Sequence, residues 1–482
     1  MNPIHLMIVG GGLSGILLAL KLSREKSYLE RGTMMLVEQL PHLGGRLFTN
    51  SSGFEVFSPD SLQTLYRHLC STLSEYEVNF VEDFIEQKIK NIDILHLKND
   101  RTREERNLFI VRKHCTPVSQ FLAGPNEVFT KKETEQFCYL INELFHLLNQ
   151  HNNSVENENF DLLPFNKTSV WLSLSKPTKD SFSSFFTAIF GAFWEKAKAS
   201  VVITGLNCYF EQFKKPTPDF FQKVSGLEIA LEKVLCDRGV QVKTSCLVNR
   251  IEKISHNNSF KVFVSDQQEN TRSVYNVTHL CMTAPIVSAL TLLSKEFLSP
   301  QQSRFVSKIR PVSLVALEFH EFSMLKNDLW PKELIPGDRF LFPIERVQAH
   351  ISSDQHKMTL FSYINFEDSL QAPAVREVIG RLRKAALRLF LPSAHNELKS
   401  GGGGGPFAQG ATFTSTTGLK QRIVLLPTAY STPIDTYLNV ELSDIEARMK
   451  NLYFCGDSFS AYREPWSAIV NTTSQVCGVL SF

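Results

Sequence analysis

Neither long apolar runs nor an excess of one charge occurs in this 482-residue sequence. Lys plus Arg number 51 and Asp plus Glu 49, a balance that offers no electrostatic basis for nucleic-acid binding or for attraction to an anionic membrane. The most apolar late window, Phe182–Trp194, is about 13 residues long, short of the roughly 20 that a membrane-crossing helix needs. It reads as a buried helix rather than a membrane-surface one. The first apolar run, Ile4–Val9, leads straight into glycines and leaves no room for a cleavable signal segment. Paired cysteines are lacking too: the nine present are odd in number, scattered and never spaced CxxC. They read as reduced, buried thiols of a cytoplasmic protein.

Further absences narrow the chemistry. No HxxxH or paired-carboxylate spacing accompanies the histidines, so no metal is assigned. The nearest approach to a nucleophile elbow, Gly12-Leu13-Ser14-Gly15, already belongs to a glycine turn, which removes a GxSxG hydrolase. Five consecutive glycines, Gly401–Gly405, have no side chains to pack and read as a flexible loop. No internal repeat is visible. Hydrophobic residues at 43% and charged residues at 21% match a folded globular chain. Its length exceeds the roughly 250–300 residues of a single core, which calls for two domains.

What is present begins at the first residues. The stretch Ile8–Leu20 (IVGGGLSGILLAL) sets Gly10, Gly12 and Gly15 in GxGxxG register, after a strand and before an apolar helix. Gly10 permits the tight turn, Gly12 lets a pyrophosphate approach the backbone, and Gly15 lets helix and strand pack closely. The helix start, with Leu13 and Ser14, supplies N–H groups and positive potential. A second strand, Met34–Val37, ends in Glu38, where an exposed carboxylate would accept both hydroxyls of an adenosine ribose and repel a 2′-phosphate. Strand, glycine turn, helix and strand make a βαβ dinucleotide unit. Only one GxGxxG occurs, which argues against an oxidoreductase with two dinucleotides.

Later segments read as helices at Leu62–Leu73, Thr130–Gln150, Leu227–Cys236 and Pro373–Phe390, with further Phe-rich helices over residues 180–213. Strands are expected at Val240–Val242, Val248–Ile254, Ser259–Val264, His279–Met282, Val312–Phe319, Thr359–Tyr363 and Leu452–Phe454, and a last helix from Ser467.

After Glu38 and the spacer Gln39–Leu43 comes Gly44-Gly45-Arg46, and here the sequence resembles the flavin amine oxidase and protoporphyrinogen oxidase superfamily. The resemblance implies non-covalent FAD, with Arg46 as a cation beside the diphosphate. Val224-Ser225-Gly226 resembles the family's glycine-helix entry. Cys246–Ile251 resembles the strand whose main chain meets adenine at Val248, and Thr283-Ala284-Pro285 resembles the exit from the FAD domain. The terminal NLYFCGDSFSAYREPWSAIV resembles the last FAD motif: Gly456 and Asp457 on the ribityl or phosphate side, amides near Ala468 at the flavin N1/O2 edge, and Tyr462 and Trp466 toward substrate and flavin.

Departures restrict the reaction. The usual DxG segment is replaced by Phe57-Ser58-Pro59. The strand that often carries a lysine linked to flavin N5 reads Pro311–Phe319 without one, and Lys308 lies before it. No cysteine lies between Cys281 and Cys455 for covalent flavin attachment. No residue is assigned a catalytic role.

The fold class implied is α/β, a Rossmann-type FAD-binding domain (1–75, 220–295 and 445–482) interleaved with an α+β substrate domain (76–219 and 296–444). The function implied is an FAD-dependent oxidoreductase that passes hydride from a small, bulky or aromatic substrate to flavin N5, with O2 or another acceptor reoxidising the ring. A protoporphyrinogen-oxidase-like dehydrogenase, an escort protein on the same fold and a flavoprotein acting on a peptide or carrier-bound group remain open.

Overall fold

The computed structural model describes residues 4–25, 28, 30–45, 93–98, 105–111, parts of 163–202, 227–254, 259–320, 333–336, 346–351, 356–386, 412–414, 420–433, 442, 448–460 and 465–480. In chain order the elements are β1 (Ile4–Val9), α1 (Leu13–Ser23), β2 (Thr33–Val37), β3 (Asp93–Lys98), β4 (Glu105–Val111), α2 (Ser169–Ser173), α3 (Leu227–Asp237), β5 (Gln241–Lys243), β6 (Cys246–Ile254), β7 (Ser259–Asp266), β8 (Thr271–Met282), α4 (Ile286–Leu292), α5 (Pro300–Ser307), β9 (Ile309–His320), β10 (Glu333–Pro336), β11 (Arg346–Ile351), β12 (His356–Asn365), α6 (Phe366–Ser369), α7 (Ala372–Ala386), β13 (Thr412–Thr414), β14 (Lys420–Pro433), β15 (Leu452–Phe454) and α8 (Pro465–Leu480). The helices expected at Leu62–Leu73 and Thr130–Gln150, the glycine run Gly401–Gly405 and Val224–Gly226 lie outside the described residues.

Two sheets organise the chain. The first is seven-stranded, in the order β5-β2-β1-β8-β7-β6, with β15 also pairing β8. Its β5-β2-β1-β8-β15 part is parallel, with Val9 level with Val37 on one side and Met282 on the other. The second sheet has eight strands in the order β13-β14-β9-β12-β11-β10-β4-β3, and every pair within it is antiparallel. The first sheet draws strands from residues 4–37, 241–282 and 452–454; the second draws them from 93–111, 309–365 and 412–433. The chain therefore alternates between the sheets, in a mixed α/β fold with a Rossmann-like unit.

The parallel strands are apolar on both faces because both faces are covered. On one side Leu6, Ile8, Leu36 and Cys281 pack with Leu17 and Leu20 of α1, Leu231 and Leu235 of α3, and Ile469 and Val476 of α8. On the other, Met7, Val9, Met35, Leu280 and Met282 pack with Val248 of β6, Val262 of β7 and Phe305 of α5. Such layering makes the helix start after β1 a fixed point between two cores.

Several elements differ from the sequence reading. Strand β8 begins at Thr271, not His279. β5 is Gln241–Lys243, and α7 ends by Ala386 among the described residues. Residues 93–111, within the segment read as substrate or helical domain, supply two strands to the second sheet. Only the end of the Phe-rich window is described in detail. There Trp194 opens a short 3-10 helix, fully buried, with Phe165 and Trp171 at 5.8 and 5.1 Å. The cysteine expectation needs one correction. Among the described cysteines, Cys246, Cys281 and Cys455 are buried and Cys477 is partly buried, but Cys236 is exposed, because it lies on the outward side of α3. No helix among the described residues is long and apolar enough to cross a membrane.

Candidate functional site

The first turn of α1 is the centre of the site. Gly10 has φ +116°, a conformation that favours glycine, and its N–H donates to the Val37 carbonyl at 2.9 Å. A Cβ on Gly10 would lie 2.8 Å from Ala284 N, and one on Gly15 only 2.0 Å from the Gly10 carbonyl oxygen. A Cβ on Gly12 would meet no described residue within 4 Å. Gly10 and Gly15 are therefore demanded by the protein's own packing, whereas Gly12 faces open space. Its φ of −70° and ψ of −179° are extended backbone that any residue adopts. Gly12 is also the N-cap of α1, without a side-chain cap, and no acidic residue occupies the first turn. The helix start thus presents amides and positive potential with no carboxylate of that turn competing for them.

Glu38, at the end of β2, is not the exposed carboxylate expected. It is buried at 6% exposure. One carboxylate oxygen accepts from Gly11 N at 2.6 Å and the other from Leu40 N at 2.8 Å. The cause is the corner between β5 and β6: Glu38 N donates to Lys243 O, Cys246 N to Glu38 O and Ser245 N to Leu40 O, each at 2.8 Å. Burial pushes the Glu38 carboxyl up, and the amides of Leu40, Gly11 and Gln39 together with His42 only partly offset it. With three amides on its two oxygens, the carboxylate keeps one further lone pair.

Gly44 and Gly45 return to the same turn. Gly44 N donates to Gly11 O at 2.9 Å, Gly44 pairs with Gly12 in an isolated parallel bridge, and a Cβ on Gly45, at φ +55°, would come 3.2 Å from Gly12 Cα. Gly456 approaches from the other end of the chain with φ +131°, where a Cβ would sit 3.0 Å from Ser14 Oγ. Asp457 follows it in a short 3-10 helix, Asp457–Phe459. Gly10, Gly12, Leu13, Ser14, Gly15, Glu38, Gly44, Gly45 and Gly456 thus form one neighbourhood, with Asp457 next to Gly456. Val248 lies buried in β6 beside a bulge at Val248–Arg250, and the strand begins at Cys246, whose N–H bonds Glu38. Ala468 is buried in the first turns of α8, a helix that starts at Pro465 and includes Trp466. Arg46 and Tyr462 lie outside the described residues.

Sequence reasoning passed over Gly11 and Thr472 here, and named Thr283 only as part of the exit from the FAD domain. Gly11 is crowded on both sides, its Cβ position 2.6 Å from Leu43 Cδ2 and 2.8 Å from Glu38 Cβ. Thr283 Oγ1 donates to Gly10 O at 2.7 Å, and Thr472 Oγ1 accepts from Gly456 N at 2.9 Å. A hydroxyl directly after a buried parallel strand was the available signal for Thr283; for Thr472 only a helical hydroxyl pair, Thr472-Thr473, hinted at it.

Strand β9, which carries no lysine, is buried on both faces. Ser313 donates to Ser369 at 3.0 Å, so the face of Ser313, Val315, Leu317 and Phe319 meets α6 and α7. The opposite face carries Val312, Leu314, Ala316 and Glu318, all buried. Lys308 caps the C-terminus of α5 instead. Among the described residues no group of three or more His, Cys, Asp or Glu is placed to hold a metal.

Residues 8–68 match the family model of an NAD(P)-binding Rossmann-like domain. No curated protein sequence matches the chain. Among solved structures, a putrescine oxidase bound to putrescine is similar at TM-score 0.59 and 13% identity, covering 99% of both chains. Cyclohexylamine oxidase from Brevibacterium oxydans gives 0.58 and 12%, again with 99% of both chains covered. Rab GDI from Plasmodium falciparum gives 0.50 and 11%, covering 100% of this chain and 98% of its own. The fold expected from the resemblance, a Rossmann-like unit interleaved with a second sheet, is the one this chain shares with these oxidases and with Rab GDI.

Proposed function

We propose that the chain is an FAD-dependent oxidoreductase that holds its flavin non-covalently and oxidises a small, bulky or aromatic organic molecule. The observation that carries this reading is the open space over Gly12, at an uncapped helix start and enclosed by Glu38, Gly44, Gly45 and Gly456. Backbone approach by a diphosphate requires that combination of room and unopposed amides. Glu38 would hold the adenosine ribose through its remaining lone pair, and Arg46 would stand by the diphosphate. Val248 would meet adenine by its main chain, Asp457 would accept from the ribityl or phosphate side, and amides near Ala468 would face the N1/O2 edge. When bound, the flavin supplies a two-electron acceptor that takes hydride at N5.

The protein's own contribution is position and exclusion. Strand β9 carries no lysine on either face, which favours dehydrogenation of a C–H or ring system, as in protoporphyrinogen-oxidase-like enzymes, over lysine-assisted amine oxidation. Residues 1–75, 220–295 and 445–482 would form the FAD domain, and 76–219 and 296–444 the substrate domain of a cytoplasmic enzyme using O2 or another acceptor. Likeness to Rab GDI supports a second reading, an escort protein on the same scaffold.

Anaerobic addition of a panel of amines and reduced aromatic compounds to the FAD-loaded protein separates them. Bleaching of the flavin band by a panel member supports the enzyme. A protein that takes up no FAD, yet binds a prenylated small GTPase, would establish the escort.

A further inference from the structure

Two threonine hydroxyls, from segments far apart in the chain, meet the two positive-φ glycine turns that flank the start of α1. Val9 O already receives both Thr283 N and Ala284 N, each at 2.9 Å. Thr283 Oγ1 reaches Val9 O at 3.0 Å and Gly10 O at 2.7 Å, the shorter bond going to the carbonyl of the turn residue with φ +116°. Loss of that hydroxyl leaves Val9 O satisfied and removes the Gly10 bond. At the other turn Thr472 Oγ1, 1% exposed, accepts from Gly456 N at 2.9 Å and donates to Ala468 O at 2.7 Å. The hydroxyl joins the Gly456 turn, φ +131°, to the first turns of α8.

We infer that Thr283 and Thr472 are positioning residues for dinucleotide binding, each fixing the orientation of one glycine turn against the N-terminus of α1. Both hydroxyls bond backbone that the reading above places beside the diphosphate and flavin, so the inference rests on that reading. Neither side chain needs to touch the cofactor. A peptide plane that rotates about Gly10 re-aims Gly11 N, which also holds Glu38 at 2.6 Å. A rotation at Gly456 moves Asp457 and separates it from the Ala468 turn.

Threonine and valine have nearly the same shape, so the Val variants remove the hydroxyl with little change in volume, and the Ser variants restore it without the methyl. The full-length protein is stripped of flavin, titrated with FAD by fluorescence, and compared by amide hydrogen exchange without FAD. Thr283→Val and Thr472→Val should each weaken FAD binding by roughly five- to tenfold, the size of one ordinary hydrogen bond. Thr283→Ser and Thr472→Ser should return it to near the parent value. Exchange without FAD should quicken at Gly10 and Gly11 in Thr283→Val and at Gly456 in Thr472→Val, while protection across β1 and β8 stays. FAD affinity unchanged in both Val variants would overturn the inference, as would uniform loss of protection that Ser does not restore. A parent protein that binds no FAD would instead defeat the functional reading. In that case local exchange at Gly10 and Gly456 alone supports or overturns the positioning role.

Discussion

A methyl group on Gly12 meets no described residue within 4 Å, whereas one on Gly15 would lie 2.0 Å from the Gly10 carbonyl oxygen. The two glycines of one motif therefore answer to different partners, and their substitutions should separate. Gly12→Val should cost the apoprotein only about 1 kcal/mol, the difference between a good and a poor N-cap, yet abolish FAD retention. Gly15→Ala should destabilise the fold itself by about 1–3 kcal/mol, or prevent folding, through forced separation of α1 from β1. Thermal melts without FAD and flavin content after reconstitution check both; a Gly12→Val protein that keeps its flavin would remove this turn from the site. Glu38 illustrates a residue whose identity was legible and whose surroundings were not. Its position after an apolar strand marked it for a ribose, but its burial arises from the β5–β6 corner some 200 residues later, which no local pattern announces. Since Gly11 N and Leu40 N each use one carboxylate oxygen, Glu38→Gln leaves one of them facing an amide N–H. We expect a loss of about 1–3 kcal/mol in apoprotein stability together with weaker FAD binding, measured by denaturant unfolding and titration. Unchanged stability in this variant would contradict the buried placement.

At the scale of elements, the row His5 of β1, His279 of β8 and Tyr453 of β15 crosses the parallel sheet at the end away from the glycine turn. The His5 and His279 rings are 4.9 Å apart, His279 Nδ1 lies 3.3 Å from Tyr453 Oη, and Tyr28, Arg31 and Cys281 complete the surroundings. Burial first, then Arg31, lowers His5; burial, His5 and Arg31 lower His279. A histidine whose folded pKa is depressed is neutral in the fold where the unfolded chain is already charged. Stability is thus fully present above the ordinary value near 6.5 and is lost as pH falls toward the lowered folded values. Melting temperature should fall between pH 7 and 5, and His279→Phe should flatten that slope. An equal slope in the variant would show that the pair does not set it. Legibility at this scale follows the neighbours of each strand. Leu280–Met282 of β8 lie between β1 and β15 and are buried, so they read as a strand; Thr271–Asn276 pair only with β7, alternate with solvent, and passed unread. The start of α8 at Pro465 was legible in principle, as proline suits the first helical position. Strands β10, β11 and β14 passed unread, although Val347, Ala349 and Ile351 alternate with polar residues in β11 and Ile423–Leu426 is an apolar run in β14.

Across the whole molecule, residues near both ends of the chain share one site. Gly12 and Glu38 follow the first two strands, while Gly456 follows β15 and Thr472 lies in the last helix. A ligand bound there crosslinks distant segments and stabilises only the folded state, by about 2.7 kcal/mol at a hundredfold excess over its dissociation constant. FAD should therefore raise the melting temperature of the apoprotein in a concentration-dependent way, while NADP+ should do less because its 2′-phosphate meets Glu38. The glycine motifs gave the dinucleotide unit and its order from sequence, since backbone room is encoded locally. The proposed substrate side was not legible to the same degree, because the strands of the second sheet find their partners far along the chain, and Tyr462 lies outside the described residues. The most direct test is the purified protein's visible spectrum, followed by acid precipitation and chromatography of the supernatant. A yellow protein that releases intact FAD is the expected result; flavin retained in the pellet, or a colourless protein that fails to take up added FAD, would contradict a non-covalent FAD site at the start of α1.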